Sequence, residues 1–356
     1  MALHMIDHRY GSKAVVRYVL LPLLIVAFAV GLSVPFQEWL SPMEAEAAMF
    51  PPPHTVPIDG DRAFGYLKQI VEIGPHTAGS PANAQVRKLV ADHFKKQGAE
   101  IREQPFRVIH PQTGENLTMA NLVGSWQPDN LRRVVIGAHY DTRPHPDQER
   151  LPARQNLPFV GANDPASGIA LLMEISNHLA NLPTQWGVDL VLFDAEELVF
   201  GNNAPHEDYF LGSKEFARIY SDRVRGNRTQ MRYENGIVLD LIGGRNLRIK
   251  REPKSAEAAP RLMSQLWGVA QSLRITSFRR EMGREVSDDH LPLIDAGIPT
   301  VDLIDFDYPF WHTADDLPEN CSGESMADVG RVVTTWLTLS PPKAASRTQQ
   351  ARRRKP

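Results

Sequence analysis

The sequence predicts an α/β protein preceded by an N-terminal hydrophobic anchor, and three observations lead there. From residue 133 onward, short aliphatic runs alternate with segments of helical spacing, the signature of a sheet wrapped by helices. Several of those runs end in acidic residues or histidine, at the strand ends where open α/β sheets place their sites. The stretch 18–36 carries no charge and approaches the length of about 20 residues that spans a bilayer.

That first stretch is preceded by Arg9, Lys13 and Arg17 and followed by Glu38, Glu44 and Glu46. The positive-inside rule then keeps the amino end cytoplasmic and exports the rest. Residues 1–36 are read as a cytoplasmic stub and signal anchor. The alternative is a signal peptide cleaved near Ala45-Glu46-Ala47, which would leave the protein secreted or periplasmic. Residues 37–57, with Pro51-Pro52-Pro53, read as a linker, 58–340 as the catalytic domain, and 341–356 as a basic disordered tail ending in Arg352-Arg353-Arg354-Lys355.

Within the main domain, Phe64, Leu67, Ile70 and Val71 have helical spacing, and Gly74-Pro75 stops that helix. Ser80 fits an N-cap and Pro81 the first turn of a second helix, whose apolar face is Val86, Leu89, Val90 and Phe94. Strands are expected near 101–108 and 117–124, then at 134–138, 188–193, 236–239 and 300–304. Helices are expected at 167–179, 212–220, 261–273, 291–296 and 324–339. The Pro-rich, charged segment 143–159 reads as an irregular loop at a pocket rim, with His145 solvent-exposed.

Composition narrows the chemistry. With 356 residues and 42% hydrophobic content, the chain can bury a large core. A formal charge of -3 argues against a nucleic-acid binder, which would show a basic face. Cys321 is the single cysteine, so neither an intrachain disulfide nor a thiolate zinc cluster can form. Any metal must be held by histidine and carboxylate.

Glu196 and Glu197 stand at the end of the apolar run 188–193, and adjacent side chains at a strand end point in different directions. One can ligate a cation while the other serves as acid and base, a division that metal-assisted chemistry on an amide or amine requires. Other strand ends supply partners: His139 after Ala138, Asp240 after Leu239, Asp164 before the 167–179 helix, and His312 beyond the 300–304 strand. His139, Asp164, Glu197, Asp240 and His312 form an oxygen and nitrogen set of the kind that suits zinc.

The motifs Gly137-Ala138-His139-Tyr140-Asp141, Gly161-Ala162-Asn163-Asp164-Pro165, Asp194-Ala195-Glu196-Glu197, Asp289-His290-Leu291-Pro292 and Trp311-His312-Thr313 resemble those of the M28 zinc peptidases. Within that family, Asp208-Tyr209-Phe210-Leu211-Gly212-Ser213, Asp288-Asp289-His290 and Tyr308-Pro309-Phe310-Trp311-His312 are most similar to the glutaminyl-peptide cyclotransferases. The resemblance implies a three-layer α/β/α sandwich on a mixed, mostly parallel sheet. It also implies Asp164, Glu197 and His312 as ligands of one catalytic zinc ion, and Glu196 as the proton carrier. Asp240 and Asp288 would be hydrogen-bond partners in the reaction, and Trp311, Phe310 and Asp289 would contact the substrate. The implied reaction closes an N-terminal glutamine of a peptide to pyroglutamate and releases ammonia.

A di-zinc aminopeptidase remains the strongest rival, because His139 and Asp240 are the ligands a second metal would use with Asp164 between them. A catalytically silent binding ectodomain on the same fold would show an eroded ligand set. The ligand set here is complete.

Overall fold

The computed structural model describes residues 55–200 and 207–339. The expected anchor, all but the end of the linker, and the basic tail lie outside them. No helix among the described residues is long and apolar enough to cross a membrane.

Two capped helices open the domain: α1 (Gly60–Val71), whose Asp59 side chain accepts from the Arg62 N–H, and α2 (Pro81–Lys96), capped by Ser80 and started by Pro81. An antiparallel pair follows, β1 (Glu100–Ile109) and β2 (Asn116–Trp126). Then come β3 (Arg132–His139), α3 (Ala166–Leu179), β4 (Gly187–Phe193), α4 (Leu211–Arg225) and β5 (Arg232–Asp240). The chain continues through β6 (Ile249–Arg251), α5 (Pro253–Ala258), α6 (Pro260–Ser272) and β7 (Phe278–Met282). It closes with α7 (His290–Asp295), β8 (Thr300–Ile304) and α8 (Gly323–Thr338).

The main sheet has the order β1-β2-β4-β3-β5-β8. β4, β3, β5 and β8 run parallel, while β2 joins β4 antiparallel. The four parallel strands are buried on both faces, which explains why they read as continuous aliphatic runs rather than as alternation. Val134, Ile136 and Ala138 pack with α1, α3, α6 and α8 on one face. Val135, Val191 and Phe193 pack with Phe216 of α4 and Leu293 of α7 on the other. Helices therefore cover both faces of a mixed sheet, as expected from the sequence.

The small β6–β7 ribbon and the short helix α5 were not anticipated, because Ile249–Arg251, Pro253–Ala258 and Phe278–Met282 are short and polar, without the aliphatic run that reveals β8. α4 also runs five residues beyond its expected end, through Arg225. The parallel strands bring the ends at His139, Phe193 and Asp240 to one edge of the sheet. That edge is where the polar residues collect.

Candidate active site

Three strand ends and three loops build the site. His139 closes β3, Glu196 and Glu197 follow β4, and Asp240 closes β5. Asp164 precedes α3, Asp288 precedes α7, and His312 lies on the loop after β8. Three of the seven non-glycine residues with left-handed φ among the described residues lie at this edge: Ala195, Leu241 and His312, at 56°, 51° and 53°. Each such non-glycine residue costs about 1–3 kcal/mol and persists only where its surroundings enforce it.

The enforcement is visible in buried acceptors behind the site. Asp141 takes the backbone N–H groups of Glu196 and Glu197 at 2.9 and 3.0 Å, fixing the double glutamate as a unit. Asp316 takes the N–H groups of Asn163 and Asp164 at 2.9 and 3.1 Å and a hydroxyl from Tyr308 at 2.9 Å. Asp194 is held by Asn83, Tyr140 and the Ala120 N–H. Ligand-bearing loops are thereby pinned to the sheet through carboxylates.

In front of these supports, His312 Nε2 lies 2.7 Å from Glu197 Oε1 and 3.5 Å from Asp164 Oδ2. His139 Nε2 lies 3.0 Å from Asp164 Oδ1 and 3.5 Å from Asp240 Oδ1, and its Nδ1 is 3.8 Å from Glu196 Oε2. Asp164, Glu197 and His312 bring ligand atoms within 4.8 Å of one another, and so do His139, Asp164 and Asp240. All five residues singled out from the sequence as metal ligands therefore converge.

The donor chemistry fits a divalent cation. Glu197 Oε2 and Asp240 Oδ1 are buried without a hydrogen-bond partner. Burial and neighbouring Glu197 and Asp240 push the Asp164 carboxyl up to about 6. Burial, with Glu197, Asp289 and Asp288 nearby, pushes Glu196 well above the ordinary carboxylate range. Burial works to raise Glu197, yet His312 and Arg143 outweigh it and hold that carboxyl at about 2. Burial likewise opposes the His312 charge, but Glu197 and Asp147 raise the ring to about 9. A cation bound by Asp164, Glu197 and His312 would replace the protons that Asp164 and His312 otherwise retain.

That exchange gives a pH signature. Asp164, Asp141 at about 7 and Asp316 at about 8, each raised chiefly by burial, hold protons in the folded chain at pH values where the unfolded chain has released them. Their contribution to metal-free stability is thus fully present below about pH 4 and is lost as pH rises through about 6 to 8. His312 adds stability below about pH 6.5 that is lost as pH rises through about 9. Glu197 runs the other way, contributing above about pH 4.5 and failing only as pH falls toward 2. In thermal melts, the increase in Tm on adding zinc to metal-free protein is expected to be larger at pH 8 than at pH 5. Equal increments would contradict this account of the site.

These candidate ligands open into a cavity of about 590 Å³, within the usual range for small-molecule sites. Glu196, Asp240 and Asp288 line its polar side, and Ile304, Phe306 and Trp311 its apolar side. Trp311 stacks on His312 with ring centroids 3.9 Å apart and meets Phe306 at 4.8 Å. Asp289 and Phe310, expected to touch substrate, are not on the cavity wall. Asp289 is fully buried behind it, accepting from the Ser213 hydroxyl, and Phe310 packs on Tyr308. Phe306 supplies the second aromatic surface instead.

Arg143 was missed as a site residue because it falls in the Pro-rich loop. Its side chain is buried and reaches Glu197 Oε1 at 3.2 Å and Asp147 Oδ2 at 2.8 Å. His145, two residues on, is exposed as expected.

The profile of peptidase family M28 matches residues 121–337, which hold every residue of this site. The chain belongs to peptidase family M28. Among its curated relatives, the glutaminyl-peptide cyclotransferase-like protein of Bos taurus is 28% identical over 283 residues, covering 73% of this chain and 71% of the relative. Among solved structures, the glutaminyl cyclase of Fimbriiglobus ruber is 38% identical with a TM-score of 0.76, covering 80% of this M28 chain and 96% of that one. A leucine aminopeptidase precursor from Bacteroides thetaiotaomicron is 29% identical with a TM-score of 0.74, covering 80% and 99%.

Proposed function

We propose that this M28 protein is a zinc-dependent glutaminyl-peptide cyclotransferase that converts N-terminal glutamine of peptides to pyroglutamate with release of ammonia. The observation that carries the reading is the placement of Glu196. It lies beside the Asp164–Glu197–His312 group and lines the cavity together with Asp240, Asp288 and Trp311. The similarity to glutaminyl cyclases from animals and bacteria supports it.

In this reading Asp164, Glu197 and His312 would hold one zinc ion. Bound there, zinc supplies Lewis-acid polarisation of the glutamine side-chain carbonyl. Glu196 takes a proton from the substrate's α-amine as the nitrogen bonds to the side-chain carbonyl carbon. It then returns a proton to the departing amide nitrogen, so the lactam C–N bond forms as ammonia leaves. Asp240 and Asp288 accept hydrogen bonds from the amine and keep Glu196 aligned with it. Trp311 and Phe306 form an apolar wall for the glutamine methylenes and help exclude water, which would otherwise compete as nucleophile.

The second reading, a two-metal aminopeptidase, is favoured by one specific observation: His139, Asp164 and Asp240 form a complete second ligand group. Product identity separates the two. Incubating the zinc-loaded full chain with Gln-peptides is expected to yield ammonia and pyroglutamyl peptide by mass spectrometry. Release of free glutamine and a shortened peptide would establish the peptidase instead. We further propose that residues 58–340 form the catalytic domain and that residues 1–36 anchor it with the active site on the extracytoplasmic side. Recovery of the full chain in the soluble fraction without detergent or cleavage would refute that anchor.

A further inference from the structure

We propose that Arg143 and Asp147 are a pair of positioning residues that together determine how firmly Glu197 and His312 hold a cation. The inference deepens the zinc site proposed above and rests on it. Four side chains close a ring: Arg143 Nη1 to Glu197 Oε1 at 3.2 Å, Arg143 Nη2 to Asp147 Oδ2 at 2.8 Å, Asp147 Oδ1 to His312 Nδ1 at 2.9 Å, and His312 Nε2 to Glu197 Oε1 at 2.7 Å. The ring joins segments that follow three different strands, since Arg143 and Asp147 come after β3, Glu197 after β4 and His312 after β8.

Each link has a chemical consequence. Because Nδ1 gives its proton to Asp147, the proton a cation would displace from His312 is the one on Nε2, the atom that faces Glu197 and Asp164. Arg143 engages Glu197 through Oε1, while Oε2 of the same carboxylate is buried without a hydrogen-bond partner. One glutamate oxygen is thereby committed to the protein and the other is left for a cation. The pair is also neutral as a unit. Arg143 alone would repel a divalent ion beside Glu197, and Asp147, at the other end of its planar fork, cancels that charge. Lysine cannot reproduce this, because an ammonium is a point charge without the fork that spans two carboxylates.

The loop lines the cavity, and through this ring it acts on the site by orienting Glu197 and His312. The test is zinc binding by the metal-free full chain, measured by competition with a chromophoric chelator, for the parent, Asp147→Asn, Arg143→Met, Arg143→Lys and the Arg143→Met/Asp147→Asn double variant. Asp147→Asn preserves shape at a side chain that is one-third exposed, so folding is not at stake. Each single variant is expected to weaken zinc by about 10- to 100-fold, the range found for outer partners of metal ligands. The double variant should be little worse than either single one, since both break the same ring. Parallel cobalt substitution should show an altered visible spectrum in Asp147→Asn, which a general loss of stability would not produce. The inference is overturned if the single variants stay within about threefold of the parent, if their effects add, or if Arg143→Lys restores parental affinity. A parent that binds no zinc would overturn the zinc site itself, and the inference with it.

Discussion

Glu196→Gln is expected to lower the turnover of Gln-peptides by about 100- to 10,000-fold, the usual contribution of a positioned acid or base, while zinc remains bound. The substitution keeps the shape of the side chain and leaves in place the backbone N–H that Asp141 holds at 2.9 Å. Glu196 shares a candidate metal-holding group with His139 and Glu197 but stands outside the Asp164–Glu197–His312 group, and its carboxyl is raised by burial and by Glu197, Asp289 and Asp288, so an uncharged amide suits the position. What is lost is the ability to carry a proton from amine to leaving ammonia. Ammonia release measures the rate and mass spectrometry the zinc content. A variant retaining more than about a tenth of parental turnover would remove Glu196 from the mechanism.

Glu197→Gln should have the opposite profile. Its carboxylate is buried against His312 at 2.7 Å and Arg143 at 3.2 Å, and those two charges hold it ionised against the cost of burial. Neutralising it removes a ligand charge and leaves Arg143 facing a cation site with one fewer anion. Zinc affinity is expected to fall by more than about 100-fold, because outer partners alone account for about 10- to 100-fold. Activity should vanish at limiting zinc and return in part at excess. Stability of the metal-free chain should also drop by about 3–5 kcal/mol, the cost of breaking one side of a buried ion pair. Unchanged zinc stoichiometry and affinity would show that Glu197 is not a ligand.

The two glutamates illustrate how much of this site was legible in the sequence. Their position after an aliphatic run, and that of His139 and Asp240 at other strand ends, follows from topology, whereas Asp164 and His312 reach the same edge on loops. Parallel strands deliver their carboxyl ends to one edge, so a sequence that locates the strands also gathers the ligands. Which glutamate does which job came from the family resemblance, because residue type alone leaves both assignments open. Arg143 and Asp147 escaped notice for a different reason. They belong to a loop whose path has no period, and their partners are 54 and 165 residues away in sequence. Asp289 and Phe310 show the converse limit: each neighbours a residue on the cavity wall, yet turns away from it. The β6–β7 ribbon is short and mostly charged, so it lacks the aliphatic run that reveals the equally short β8.

The left-handed residues beside the site carry an implication for heat tolerance. Ala195, Leu241 and His312 sit where glycine would be relaxed, and each withholds about 1–3 kcal/mol from a net stability that for most domains is only about 5–15 kcal/mol. Glycine at Ala195 would relieve that tension yet unfasten the hinge from which both glutamates project. A thermally hardened form of this protein is therefore better sought at the far ends of the strands, where no ligand hangs on the backbone. Gln127, Asn227 and Arg274 share the left-handed backbone away from the site, and glycine there could add durability without disturbing it.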